Sequence, residues 1–149
     1  MNEGVGDILK ATEAKSTQKQ KIEYLQKMQK KYPHIISFLK YMFKDDIRFD
    51  LPAGPVEDGN GKLLYRPQNK ESDLQNVLYS KLRKMKVFMR GEYPGMSKVK
   101  REAQFIELLE SVDPDDAIFI IGMKDKKSPY KGITKALIQK AFPKETENW

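Results

Sequence analysis

The chain contains no cysteine and a single histidine in 149 residues, and its only tryptophan is the last residue. Lack of cysteine excludes disulfides, thiolate metal sites and a cysteine nucleophile, and suits a reducing compartment. One histidine, His34, excludes any site built on several; placed just after Pro33, it reads as a capping or surface residue. No apolar run approaches the roughly 20 residues that cross a bilayer. The opening MNEGVGDILK lacks the basic-then-apolar order of a secretion signal. A soluble, cytoplasmic protein with no membrane partner is therefore expected.

Positive charge is what the sequence has in excess. Lysine and arginine number 28 against 21 acids, which gives +7 and a pI near 9.4. Such a balance points to polyanionic partners or an acidic protein surface, and it also serves solubility. The excess is clustered: Lys81 to Arg101 holds eight basic residues and one acid, whereas Asp113 to Asp116 is acidic. At this length one domain is expected, with residues 1–143 as its body and 144–149 as a flexible tail.

Helical periodicity dominates. Residues 2–14 place Val5, Ile8, Leu9 and Thr12 on one side. Ser16 reads as the N-cap of a second helix through Tyr32, with Ile22, Leu25 and Met28 inward and lysines outward. Pro33 fits the first turn of a third, whose buried side is Ile35, Ile36, Leu39, Met42 and Phe43. From Ile47 to Pro67, three prolines and three glycines mark an irregular or hairpin-like insertion, with turn chemistry at EDGNG. One long helix is expected over 69–90, capped by Asn69 or Ser72, with a stripe from Leu74 to Met89. Ser97 then caps a helix through Val112, with Val99, Phe105, Ile106 and Leu109 inward. Asp113-Pro114-Asp115-Asp116 is a strong helix start, and AIFIIGM makes that helix buried. The fold class is all-α, a bundle of about six or seven helices.

Met123 to Pro143 is the best candidate for touching nucleic acid. A lysine-rich loop with Lys126, Lys127, Lys131 and Gly132 runs into a helix that starts near Thr134 and Lys135. Unpaired N–H groups at the positive end of a helix favour phosphate. The polar face of 69–101 adds Lys81, Arg83, Lys84, Lys86, Arg90, Lys98, Lys100 and Arg101. Equally, Gly132 could only turn the chain and the lysines only solvate a loop. No catalytic constellation is present: Asp45 with Asp46, and Asp115 with Asp116, fall at helix ends where capping explains them, and no enzyme, metal or cofactor is expected.

The residues from REAQFIELLESV through DPDDA and MKD to Gly132 and KAFP, with the opening ILKATEAKSTQKQKIEYLQK, resemble the N-terminal DNA-binding domain of ATP-dependent DNA ligases, especially those of T-even-like phages. Lys124, Asp125, Gly132, Phe142 and Pro143 carry the likeness, which covers about half of the chain. It implies an all-helical domain gripping duplex DNA, intact or nicked, by its backbone and minor groove, with the glycine-to-helix junction at phosphates. The loop from Asp125 to Gly132 looks longer than in that family, and 47–67 has no counterpart. The KxDG lysine that takes up AMP is missing, since no lysine stands two residues before Asp58. The resemblance therefore implies a stand-alone phage protein of unknown function that assists replication, recombination or repair. The alternative is an adaptor or inhibitor that meets a phage or host replication protein through its loop or through Trp149, exposed on the tail.

Overall fold

The stretch from Ala117 to Met123 is all apolar, and the helix that carries it becomes the central post of the bundle, with Ile118 left exposed. In the computed structural model, which describes residues 3–149, this helix is α6 (Pro114–Asp125). Around it pack α1 (Val5–Glu13), α3 (Ile35–Phe43) and α5 (Lys98–Ser111). Helix α2 (Gln18–Lys31) lies against α1 and α7 (Lys135–Ala141), and α4 (Val77–Ser80) is a single turn. No strand occurs among the described residues, so the expected all-α bundle is the observed class. Ala117, Phe119, Ile120 and Met123 of α6 are buried, and they join Ile8, Leu9, Phe38, Leu39, Phe105 and Leu109 in one core.

The first helix begins at Val5 within the expected span; Asn2 lies outside the described residues. Thr17, not Ser16, caps α2: its hydroxyl accepts from the Gln20 N–H at 3.2 Å, while the Gln20 carboxamide reaches back to the Ser16 N–H. Pro33 precedes α3, with His34 at the N-cap position and without a side-chain cap bond. Ser97 and Asp113 cap α5 and α6 as expected.

The single helix expected over 69–90 is replaced by three short pieces: a 3₁₀ turn at Lys70–Ser72, α4, and a 3₁₀ stretch at Arg83–Phe88. Asp73 adopts the left-handed conformation at φ 58° and ends the first piece. The chain then leaves helical geometry at Met89 to pair with the insertion. Arg90 N–H donates to Arg48 O at 2.7 Å and Asp50 N–H to Phe88 O at 2.8 Å, around a Phe49–Met89 bridge. Phe49 and Tyr65 are buried, so the insertion contributes to the core. Its tip is the hairpin-like turn read from EDGNG, with a Glu57–Leu63 bridge and the Asp58 carboxylate accepting from the Asn60 and Lys62 N–H groups.

Helix α1 approaches α6 closely because Gly6 lacks a side chain; a Cβ there would lie 2.6 Å from the Asp115 carbonyl. The Gly6 N–H donates to buried Asp116 at 2.7 Å, while the second Asp116 oxygen has no partner among the described residues. Beside it, the Lys70 ammonium lies 2.5 Å from Asp7, 2.9 Å from Asp113 and 2.8 Å from Asp115. These three carboxylates are close enough to hold a cation, and Lys70 supplies one. Burial disfavours the Lys70 charge, but the bonds from Asp115, Asp7 and Asp113 hold its pKa above the ordinary value.

Burial pushes the Asp116 carboxyl up to about 7; the Gly6 bond opposes this, and the charges of Asp113 and Asp7 add to it. An acid whose folded pKa is raised leaves the folded state holding a proton that the unfolded chain has released, so stability falls as pH rises from about 4 to about 7. Asp116→Asn should therefore gain on the wild type across that window by roughly 2–4 kcal/mol and hold the gain above it. Urea denaturation at several pH values measures the difference; a constant offset across pH would show that Asp116 does not titrate as inferred.

Candidate nucleic-acid interface

The C-terminal end of α6 is where basic residues from distant parts of the sequence meet. The helix ends with Lys126 in the left-handed conformation at φ 57°, and the Lys127 N–H closes back onto Gly122 O at 2.9 Å. This turn sends the two neighbouring lysines in different directions. Lys126 reaches the end of α3, where its ammonium donates to Tyr41 O at 2.5 Å and Lys44 O at 2.9 Å and so caps that helix. Two residues earlier, buried Lys124 donates to Pro52 O at 2.8 Å, Gly54 O at 2.9 Å and Asp125 at 2.7 Å, pinning the insertion to the bundle.

Between the pinned insertion and this helix end lies a cleft of about 270 Å³ lined by Arg48, Arg90, Lys124, Lys126 and Lys127, with Asp125 as its one acid. Arg48 and Arg90 stand side by side through the Arg90–Arg48 backbone bond. Both are exposed, as is Lys127, and no ion pair holds any of the three among the described residues. Positive groups that converge on a concavity set up a field that attracts anions. The Lys135 ammonium, bonded at 2.9 Å, holds exposed Asp45 below the usual carboxylate range, and nearby Arg48 and Lys126 add to this. The start of α7 thus adjoins the cleft through Asp45.

The structure therefore joins Arg90 from the first basic segment with Lys126 and Lys127 from the second. It adds Arg48, which lay unnoticed in the insertion; the alternation of Ile47, Arg48, Phe49 and Asp50 was the available signal. Arg83, Lys86, Lys98, Lys100 and Lys131 are exposed, and Lys81 and Lys84 half-buried. Arg101 is corrected from surface to interior: it is buried, pairs with Asp50 at 3.1 Å and donates to Val87 O and Tyr93 O. Its guanidinium ties the start of α5 to the insertion and is not presented to a ligand. Val99 is corrected in the opposite sense, from inward to 77% exposed.

At the loop before α7 the turn accounts for the residues more directly than a cradle does. Gly132 has φ +79°, a conformation glycine favours, and a Cβ there would meet only Lys21 at 3.7 Å. Thr134 caps α7 by accepting from the Leu137 N–H, and Lys131 donates its N–H to Glu13. The tail expected to be flexible instead folds back in turns: Thr146 is buried and donates its hydroxyl to Phe142 O at 2.7 Å, and Trp149 is half-buried against the core.

A model of a family of unknown function (DUF6433) matches residues 8–129, and the chain belongs to that family. The matched span contains every residue that lines the cleft. No curated protein and no solved structure matches the chain.

Two outcomes are expected. Emission of Trp149, the only tryptophan, should be blue-shifted and partly shielded from iodide; a fully quenchable, red-shifted spectrum would return it to solvent. The second concerns Lys126, whose pKa burial, with Arg48 next, lowers to about 8. An NMR titration should show one lysine with a midpoint near 8 that is absent in Lys126→Arg. Added inorganic phosphate should move that midpoint upward, because an anion in the cleft favours the ammonium form.

Proposed function

We propose that this member of DUF6433 binds duplex DNA, intact or nicked, through its phosphate backbone, and that the cleft between the insertion and the end of α6 is the centre of the contact. The observation that carries the reading is the meeting of Arg48, Arg90, Lys126 and Lys127 around one concavity, with Arg48, Arg90 and Lys127 in no ion pair among the described residues. Arginines suit this task because the guanidinium fork reaches two phosphate oxygens, and lysines add point charge. The exposed lysines of α5 and of the loop before α7, together with the +7 net charge, supply the long-range attraction.

Contacts of this kind position a protein on nucleic acid and carry no sequence information. The role is one of gripping, with no bond made or broken, in support of replication, recombination or repair. The resemblance to ligase DNA-binding domains points to duplex DNA and to a phage-infected cytoplasm; the cleft and the charge carry the reading independently of it.

Fluorescence anisotropy with intact, nicked and single-stranded oligonucleotides at two salt concentrations tests the proposal. Wild-type affinity should fall steeply with salt, by a slope of about 0.9 per phosphate neutralised on B-form DNA. Arg48→Glu/Arg90→Glu/Lys127→Glu should weaken binding at least about tenfold for every sequence alike and flatten that slope. These side chains are exposed, so circular dichroism should be unchanged. Wild-type affinity in the triple variant overturns the assignment to this cleft.

A further inference from the structure

Tyr93 is 47% exposed, whereas every other aromatic side chain among the described residues is buried or half-buried. One ring in water is ordinary on a protein surface. What distinguishes this one is how its backbone is held. It lies in the turn between Arg90 and α5, where Gly91 at φ +88° bends the chain away from its pairing with the insertion. The Tyr93 carbonyl accepts from the Met96 N–H at 3.1 Å and from the buried Arg101 guanidinium at 2.8 Å. The same guanidinium holds Asp50 at 3.1 Å and Val87 O at 3.2 Å, on the two segments that carry Arg48 and Arg90. One buried side chain thus ties the backbone of the exposed ring to the wall of the basic cleft.

The surroundings of the ring suit an uncharged planar group better than a phosphate. Arg90, three residues before it, lines the cleft, while Glu92 between them is exposed and repels phosphate. Burial raises the Tyr41 pKa and the Glu92 charge adds to this, which sets the turn close to the end of α3, where the Tyr41 carbonyl takes the Lys126 ammonium. Three residues span at most about 10 Å, and phosphates of one strand follow each other every ~3.4 Å along the duplex axis. Arg90 and Tyr93 are therefore spaced to meet neighbouring nucleotides of one strand, the first at a phosphate and the second at a base.

We propose that Tyr93 stacks on an unpaired base of the strand whose phosphates occupy the cleft, so that a duplex interrupted by a gap is held more tightly than an intact one. The inference rests on the cleft reading above and adds to it the form of DNA preferred. A base inside an intact duplex has both faces covered by its neighbours; a gap uncovers a face and frees the base to leave the stack. Every base has a π-face, so stacking of this kind adds affinity without reading sequence, in keeping with phosphate contacts.

Fluorescence anisotropy with an intact duplex and with the same duplex lacking several nucleotides of one strand tests this, and 2-aminopurine placed opposite the gap reports stacking directly. The wild type should bind the gapped duplex at least about fivefold more tightly, the lower bound for one base on an aromatic ring. Tyr93→Ala should lose that preference and keep wild-type affinity for the intact duplex, whereas Tyr93→Phe should keep both. Emission of 2-aminopurine should be quenched by the wild type and by Tyr93→Phe but not by Tyr93→Ala. The ring is exposed and the carbonyl that Arg101 holds is unchanged, so circular dichroism should not move. Equal affinity of the wild type for the two duplexes overturns the inference, as does a preference that survives Tyr93→Ala. Failure of the cleft reading is a different result: Arg48→Glu/Arg90→Glu/Lys127→Glu would then bind the intact duplex as the wild type does, and the inference would fall with it.

Discussion

Everything in this structure answers to the burial of α6. A helix hidden on nearly all sides gains the apolar transfer of Phe119, Ile120 and Met123, but it also carries its two charged ends inward, where water solvates them poorly. The amino end holds Asp113, Asp115 and Asp116, and its partners are drawn from far away: Lys70 across three carboxylates, and the Gly6 N–H on Asp116. The carboxyl end holds Lys124 and Lys126, which take carbonyls from the insertion and from the end of α3. Acids at the amino end and bases at the carboxyl end also agree with the helix dipole. The post therefore fastens α1, α3, the insertion and the segment around Lys70 by polar contacts as well as by packing.

Periodicity made most of the helices legible because each has one dominant apolar stripe: Val5, Ile8 and Leu9 in α1, Leu25 and Met28 in α2, Leu137 and Ile138 in α7. It failed where two explanations of the same spacing competed. Residues 69–90 have helical spacing, yet Met89 and Arg90 bond to the insertion in extended geometry, and a tertiary pairing overrides local preference there. In α5 Phe105, Ile106 and Leu109 meet the core as the spacing implies, whereas Val99, near the helix start, is exposed. Sequence shows that a stripe exists and not how far along the helix it meets the core.

Charge was legible in amount and not in assignment. Lysines and arginines that look alike in a sequence divide in the structure into those held by internal partners and those facing solvent. Lys70, Arg101, Lys124, Lys126 and Lys135 have carboxylates or carbonyls in reach. Arg48, Arg90 and Lys127 have none among the described residues. The distinction depends on three-dimensional neighbours: Arg101 follows Lys100 in the chain, but one helical step turns it toward Asp50 and two backbone carbonyls. Three of the four cleft residues, Arg90, Lys126 and Lys127, are accordingly legible as basic positions in the sequence, whereas Arg48 joins them only through the pairing of the insertion beside Arg90.

The insertion is the element that gives the surface its two characters. Leu51, Ala53 and Gly54 line both the basic cleft on one side and an apolar groove along α5 on the other. A short irregular segment can serve as a common wall only if something fixes its backbone, since it has no ladder of its own. Its start is held by the pairing with Phe88 to Arg90 and by the Arg101–Asp50 ion pair, and residues 52–54 by the Lys124 ammonium on Pro52 O and Gly54 O and by the Asp125 carboxylate accepting from the Gly54 N–H. The Lys124 and Asp125 contacts come from the last turn of α6, so a buried helix end helps to set the position of a surface segment. A lysine left in the core at the end of an apolar helix looks wasteful by transfer energy alone; with three oxygen partners it is instead the pin that holds cleft and groove in register.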